Sequence, residues 1–78
     1  MTRVRLFAAA AEAAGVDELL ADVETLAELE AHLDARYGAE FARIRVQCSL
    51  MVDGVRAEGD GSLATATMVD VLPPFAGG

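Results

Sequence analysis

Alternating apolar and polar residues predict that the chain opens with a β-strand. Val4 and Leu6 alternate with Arg3 and Arg5, and a period of two is typical of a strand with one buried face. An alanine-rich segment, 8–14, follows directly and is itself followed by a glycine. Alanine favours helix and glycine commonly ends one, so this segment predicts a short helix.

The segment 18–23 is compatible with two interpretations. Leu19, Ala21 and Val23 alternate with their neighbours, which fits a second strand. A continuation of the preceding helix is the competing interpretation.

A longer amphipathic helix follows, and its start carries a specific signal. Thr25 and Glu28 stand three residues apart, as in a capping box, where Thr25 would cap the Glu28 amide and Glu28 would reach back. Apolar residues then recur at spacings of three, four and four and build one stripe: Leu26, Leu29, Leu33 and Tyr37. Gly38 ends the predicted helix.

The second half of the chain predicts a hairpin and a last strand. Residues 40–45 could add one short helical turn, with Phe41 and Ile44 directed inward. Asp53-Gly54 lies between two short apolar runs, which is a strong signal for a two-residue hairpin. Residues 58–62 form a loop, and the strand 68–72 ends at two prolines.

These elements predict one α+β domain. A single amphipathic helix needs a sheet to cover its stripe, so we expect a mixed sheet of four to five strands packed on one main helix. The domain would span residues 1–72, and residues 73–78 would form an extended tail.

Charge and cysteine content limit the classes of partner and compartment. The 78 residues carry a net charge of −7, and all six basic residues are arginines. This acidity argues against unspecific binding to nucleic acid or anionic membranes and suits docking on basic protein surfaces. One cysteine excludes an internal disulfide, and no segment is apolar enough for a signal peptide or membrane span. We therefore expect a cytoplasmic protein.

The body of the chain offers no self-contained active site. The chain has one histidine, His32, and one cysteine, Cys48, whereas nucleophilic catalysis needs a converging set of groups. We interpret His32 as a surface residue of the long helix and Cys48 as a small, half-buried apolar residue. No spacing indicates a metal site or a phosphate-binding loop.

The tail is the segment that could carry chemistry. Gly77 and Gly78 lack side chains, so they could thread a narrow active site that any Cβ would block. The two prolines before them favour an extended path away from the body. One interpretation makes the Gly78 carboxylate the reactive group, and the other makes the segment a frayed terminus. A carboxylate reacts only after activation, so the first interpretation requires an ATP-dependent partner.

The chain resembles the small subunit of molybdopterin synthase, which is a ubiquitin-like sulfur carrier with a β-grasp fold. Residues 6–15, LFAAAAEAAG, are similar to that family's strand-to-helix pattern of Phe-Ala, Glu and Gly. Residues 69–78, VDVLPPFAGG, are similar to its hydrophobic strand, Pro-Pro, an apolar residue, a small residue and Gly-Gly. The second segment is the more specific of the two.

The resemblance implies a role for each residue at the end of the chain. Gly78 would be adenylated by an ATP-using enzyme of the ubiquitin-activating kind and converted to a thiocarboxylate with sulfur from a sulfurtransferase or desulfurase. The tail would enter the large synthase subunit and donate sulfur to cyclic pyranopterin monophosphate. The implied partner-binding residues are Pro74, Phe75, Ala76 and Gly77. No cofactor or metal would be bound permanently, and the protein would act as the sulfur-donating subunit of a complex.

Several alternatives stay open. Phe75 could anchor the tail on a partner or close the bottom of the sheet as a core residue. The family commonly has an acidic, glycine-containing turn before the last strand, and the segment 64–68, ATATM, departs from it. The protein could serve thiamine-thiazole or cysteine synthesis, could be joined to lysines of target proteins, or could be an interaction domain with an inert tail.

Overall fold

The computed structural model describes residues 1–57 and 61–74, and within them lie five strands and three helices. The strands are β1 (Thr2–Leu6), β2 (Glu18–Ala21), β3 (Ser49–Val52), β4 (Val55–Ala57) and β5 (Met68–Leu72). The helices are α1 (Ala8–Ala14), α2 (Leu26–Tyr37) and α3 (Ala39–Arg45).

The strands form one mixed sheet with the order β2-β1-β5-β3-β4. The central pair, β1 and β5, is parallel, and the other pairs are antiparallel. Val4 lies beside Val69 and Leu6 beside Val71, and all four side chains are buried. The helices cover this face, which gives the predicted ubiquitin-like β-grasp.

Helix α2 begins at the predicted cap, although the return bond of Glu28 goes to the residue before Thr25. The Thr25 hydroxyl accepts a hydrogen bond from the Glu28 amide at 3.1 Å, and Glu28 Oε1 accepts one from the Glu24 amide at 3.0 Å. Of the predicted stripe, Tyr37 is half-buried and the leucines are fully buried: Leu26, Leu29 and Leu33. The stripe therefore packs into the core against the sheet.

Three local features refine the sequence predictions. The segment 18–23 is a strand that ends at Ala21, two residues earlier than predicted, so the helical alternative is wrong. The short turn predicted at 40–45 is part of a seven-residue helix, α3, in which Phe41 is buried. Both residues of the hairpin turn, Asp53 and Gly54, have positive φ, as a type I′ turn requires.

Helix α3 is attached to α2 through a half-buried ion cluster. Arg45 binds the Asp34 carboxylate with two hydrogen bonds of 2.7 and 2.8 Å and Glu30 Oε2 with one of 3.0 Å. The Tyr37 and Phe41 rings lie 5.3 Å apart beside it. These contacts hold α3 against α2 and leave its other side to pack on α1.

None of the helices in residues 1–57 and 61–74 has the length and hydrophobicity that crossing a bilayer demands.

Candidate functional site

The last strand brings the chain out beside the start of α1. β5 lies between β1 and β3, and its residue Val71 accepts a hydrogen bond from the Phe7 amide at 3.2 Å. Pro73 is half-buried, and Pro74 is exposed in a turn. The end of the sheet next to α1 is therefore where the predicted tail leaves the body.

Of the five residues predicted to form the site, the structure describes Pro74 alone. Phe75, Ala76, Gly77 and Gly78 lie outside the described residues, so their roles stay predictions. The division into a body of 1–72 and a tail of 73–78 stays a prediction as well.

A groove of about 260 Å³ opens at the point where the tail leaves the body. We call it the tail-root groove. Its walls come from the start of α1, from α3 and the turn after it, and from the two prolines: Ala8, Ala9, Ala10, Arg43, Ile44, Gln47, Cys48, Pro73 and Pro74. Seven of these nine residues are alanine, isoleucine, cysteine or proline, so the groove is mainly apolar.

Cys48 forms part of the groove wall, and its thiol is not activated as a nucleophile. Its thiol donates a hydrogen bond to the Ile44 carbonyl, with the sulfur 3.4 Å from the oxygen. Burial raises the pKa of the Cys48 thiol, and the nearby Arg45 only partly offsets this. A raised pKa keeps the thiol protonated at neutral pH, which agrees with the predicted half-buried apolar role.

The remaining titratable residues do not assemble a catalytic or metal site in the described part of the chain. His32 is half-buried on α2 and directly precedes the buried Leu33. Among residues 1–57 and 61–74, no group of three or more histidine, cysteine, aspartate or glutamate side chains could hold a metal ion.

The outer face of the sheet carries charged pairs and one exposed aromatic ring. Arg5 binds the Asp70 carboxylate with two hydrogen bonds of 2.7 and 2.9 Å, and Arg3 lies 3.5 Å from Glu18. The hydrogen bonds that Arg5 donates to the Asp70 carboxylate raise the pKa of Arg5, and the Arg5 guanidinium lies 5.7 Å from the centre of the Phe7 ring. Arg3 and Arg5 are therefore both paired with acids on this face.

The segment 64–68, which leads into β5, has no acidic residue, and the carboxylate that binds it comes from Asp53 in the turn between β3 and β4. The Asp53 carboxylate accepts hydrogen bonds from the Thr67 hydroxyl at 2.7 Å and from the Met68 amide at 2.9 Å. The Asp53 amide in turn donates to the Met68 carbonyl at 2.8 Å. These bonds, with the Thr67 hydroxyl first, hold the pKa of Asp53 below its ordinary value. The segment 64–68 is thus held in place without a glycine or acid of its own.

Comparison with known proteins assigns the chain to a family. The model of the ThiS family matches residues 4–78, which is nearly the whole length and includes the final Gly-Gly. The chain belongs to the ThiS family. Members of this family are ubiquitin-like sulfur carriers, so the part of the prediction that concerns sulfur carriage in general is confirmed.

One solved structure supports the fold of this ThiS-family chain. The crystal structure of SAMP1 from Haloferax volcanii aligns with a TM-score of 0.80 at 23% sequence identity, over 99% of this chain and 98% of that one. At this identity the likeness concerns the fold alone, and it confirms the ubiquitin-like β-grasp. No curated protein matches the sequence.

Sequence reasoning did not find the tail-root groove of this ThiS-family protein. Its three walls come from residues 8–10, 43–48 and 73–74, and no local pattern links segments so far apart. Two of its parts did have a sequence signal. Ile44 was predicted to face inward, and the two prolines were predicted to end the last strand. The parallel pairing of β1 with β5 is what brings α1 and the prolines together.

Proposed function

We propose that this protein is the small, sulfur-carrying subunit of molybdopterin synthase. In this proposal the Gly78 carboxyl group is adenylated and then thiocarboxylated, and the thiocarboxylate donates sulfur to cyclic pyranopterin monophosphate. The observation that carries the proposal is the ThiS-family match, which extends through residues 73–78. Within that segment, PPFAGG is the motif that favours the pterin branch.

The described body supports a role as a carrier rather than as a catalyst. Its one thiol is kept protonated by burial, and Arg5 and Arg45 are engaged in ion pairs with Asp70 at the sheet and with Glu30 and Asp34 between helices. The body can therefore dock and orient the tail while a partner supplies the reactive groups.

The proposed chemistry requires two partners before the synthase step. An adenylyltransferase of the ubiquitin-activating kind would join the Gly78 carboxylate to the α-phosphorus of ATP and release pyrophosphate. A sulfurtransferase or desulfurase would then supply a persulfide sulfur that displaces AMP from the acyl carbon. A thiol reductant would cleave the resulting acyl disulfide and leave the thiocarboxylate on Gly78. A free carboxylate is resonance-stabilised, so the adenylation step is what makes the carbonyl carbon electrophilic.

The net charge of −7 also fits a protein that docks on several partners in turn. An acidic surface steers association towards basic partner surfaces and discourages self-association. Gly77 would allow the tail to pass through the narrow entrance of the large synthase subunit, because it has no Cβ to collide with the walls.

A second candidate is a carrier for thiamine-thiazole or cysteine synthesis. Membership of the ThiS family is shared by this candidate, and the turn 64–68 departs from the acidic, glycine-containing pattern expected for the pterin branch. Because Asp53 holds that turn from the hairpin, the departure alters the docking surface more than the fold.

An intact-mass measurement tests sulfur carriage. The protein is incubated with ATP, an activating enzyme and a sulfur source, and a chain lacking Gly78 serves as the control. We expect a mass increase equal to the exchange of one oxygen for sulfur in the full chain only. No change with any activating enzyme would contradict the proposal, and adducts with other proteins would indicate a protein modifier.

A reconstitution then separates the two branches. The thiocarboxylated protein is mixed with the large synthase subunit and cyclic pyranopterin monophosphate, and formation of the dithiolene product is followed. We expect turnover with this pair. Sulfur transfer only to a thiazole- or cysteine-forming acceptor would favour the second candidate and overturn the pterin assignment.

A further inference from the structure

The size and lining of the tail-root groove fit one apolar side chain. Its volume of about 260 Å³ lies below the roughly 300–1,000 Å³ of pockets that hold small-molecule ligands. Ala9 and Ile44 contribute methyl groups from two different helices, and Arg43, one of the two polar lining residues, is engaged by Glu40. Apart from Arg43 and Gln47 the lining is apolar, which favours an apolar occupant.

The course of the chain determines which side chain lies nearest to this groove. Pro73 and Pro74 form one of its walls, and Phe75 is the next residue in the sequence. Consecutive Cα atoms are about 3.8 Å apart, so Phe75 is the first residue after this wall whose side chain could reach the groove.

The two prolines also lower the entropic cost of placing the Phe75 ring. Each proline has a fixed φ, and Pro73 is further restricted because it precedes another proline. The chain therefore reaches Phe75 with few rotatable bonds left to fix. An aromatic ring buries a large apolar area for little loss of side-chain freedom.

We propose that the Phe75 ring occupies the tail-root groove in the free protein and thereby anchors the start of the tail against α1 and α3. The seat is built by Ala9, Ile44 and Cys48 on one side and by the prolines on the other. The assignment of this seat does not depend on what becomes of Gly78.

One consequence does depend on the proposed function. If Phe75 also contacts the large synthase subunit, it must leave the groove when the tail is inserted. The groove would then compete with the partner, and the apparent affinity would be the intrinsic affinity multiplied by the fraction of molecules in which the ring is undocked. Variants that keep Phe75 but block the groove would bind that partner more tightly.

The thiol of Cys48 provides a direct test, because it lies in the groove wall. We would measure its rate of modification by methyl methanethiosulfonate in the wild type, in Phe75→Ala and in Phe75→Leu. If the ring is docked in about 90% of molecules, Phe75→Ala should react on the order of tenfold faster, and Phe75→Leu should fall in between. Rates measured over a range of pH separate a change of access from a change of thiol pKa.

The matched control is Leu20→Ala, which removes an exposed leucine from the outer face of the sheet. It should leave the Cys48 rate unchanged. Equal rates in the wild type and Phe75→Ala would overturn the proposal.

Nuclear Overhauser contacts identify the occupant independently. We expect contacts from the Phe75 ring protons to the methyl groups of Ala9 and Ile44 in the free protein. In a mixture of labelled and unlabelled chains these contacts should be intramolecular. Their absence, or their appearance only between chains, would overturn the proposal, and the second outcome would identify a second copy as the occupant.

A chain that lacks residues 77 and 78 tests the seat of Phe75 separately from the proposed sulfur-carrier function. It should retain the slow Cys48 modification and the ring-to-methyl contacts, although it can carry no sulfur. If that chain lost both the slow Cys48 modification and the ring-to-methyl contacts, occupation of the groove would require residues 77 and 78. The proposal that Phe75 alone is the occupant would then be wrong.

Discussion

The Asp53 carboxylate holds Thr67 twice, through its hydroxyl at 2.7 Å and through its backbone amide at 3.1 Å. Asp53 belongs to the turn between β3 and β4, whereas Thr67 directly precedes β5. The pair therefore fastens the start of the last strand to the neighbouring hairpin. It explains how a strand that leads to the tail is positioned without the usual acidic turn.

Removing the charge of Asp53 should destabilise the fold and reduce its sensitivity to acid. The pKa of Asp53 is lowered in the folded protein, so its contribution is complete above the ordinary aspartate pKa of about 4 and is lost as the pH falls through the folded value. We expect Asp53→Asn, which tolerates the positive φ, to have a lower Tm at pH 7 and a smaller further loss below pH 4.

Thermal unfolding between pH 7 and pH 2 checks this prediction, with Asp22→Asn as the control on an exposed acid. The control should follow the wild-type curve. An Asp53→Asn curve parallel to that of the wild type throughout the acid range would contradict the assignment.

The leucine stripe of α2 should dominate the stability of the domain. Leu33 is completely buried, and truncating such a leucine costs about 2–5 kcal/mol. We expect Leu33→Ala to lower the free energy of unfolding by this amount in denaturant titrations. Leu20→Ala, at a residue that is 59% exposed, should change it by less than about 0.5 kcal/mol. Similar losses for both variants would mean that the helix does not face the core.

Two arginines of α3 should differ in their importance. The Arg45 side chain is only 12% exposed and binds both Asp34 and Glu30, so Arg45→Ala leaves two half-buried carboxylates without their cation. We expect a loss of about 1–2 kcal/mol in the free energy of unfolding.

Arg43→Ala is the matched control, because Arg43 is 72% exposed and its ion pair within the described residues is with Glu40 of the same helix. Such a pair contributes about 0.3–0.5 kcal/mol. Equal effects of the two substitutions in urea titrations would show that the Arg45 cluster does not fasten α3 to α2.

The same substitution at two glycines should separate function from stability. Gly54 has a φ of +84° and open space around its missing Cβ, so Gly54→Ala should cost about 1 kcal/mol through backbone strain alone. Gly77→Ala should leave Tm unchanged and impair sulfur transfer, because the added Cβ would collide with a narrow partner channel.

Calorimetry and the sulfur-transfer assay, performed on both variants, check this pair of expectations. Full transfer activity in Gly77→Ala would argue against a narrow channel. A large fall in Tm for the same variant would place Gly77 in the folded core rather than in the tail.

Much of the fold could be predicted because its signals are local. The alternation at Val4 and Leu6, the helix cap at Thr25 and the Asp53-Gly54 turn each lie within a few residues, and each forms as predicted. The helical turn predicted at 40–45 corresponds to α3 and begins one residue earlier in the structure, where contacts with α1 and α2 support a short helix.

The candidate site also has one part that local sequence signals predict and one part that only tertiary packing creates. The tail motif was evident from residues 73–78 alone, and the family match over 4–78 supports its assignment to a sulfur carrier. The tail-root groove was not evident, since Ala9, Ile44 and Pro73 are brought together only when α1, α3 and β5 pack.

The sequence by itself determined the elements, their order and the Gly-Gly tail, because propensity, capping and side-chain periodicity act over a few residues. Tertiary structure decided where that tail leaves the body, what lies beside it and which distant acid fastens its strand. Those features arise from contacts such as Asp53 with Thr67, 14 residues apart, and Phe7 with Val71. Contacts of this kind form only after the strands have found their register.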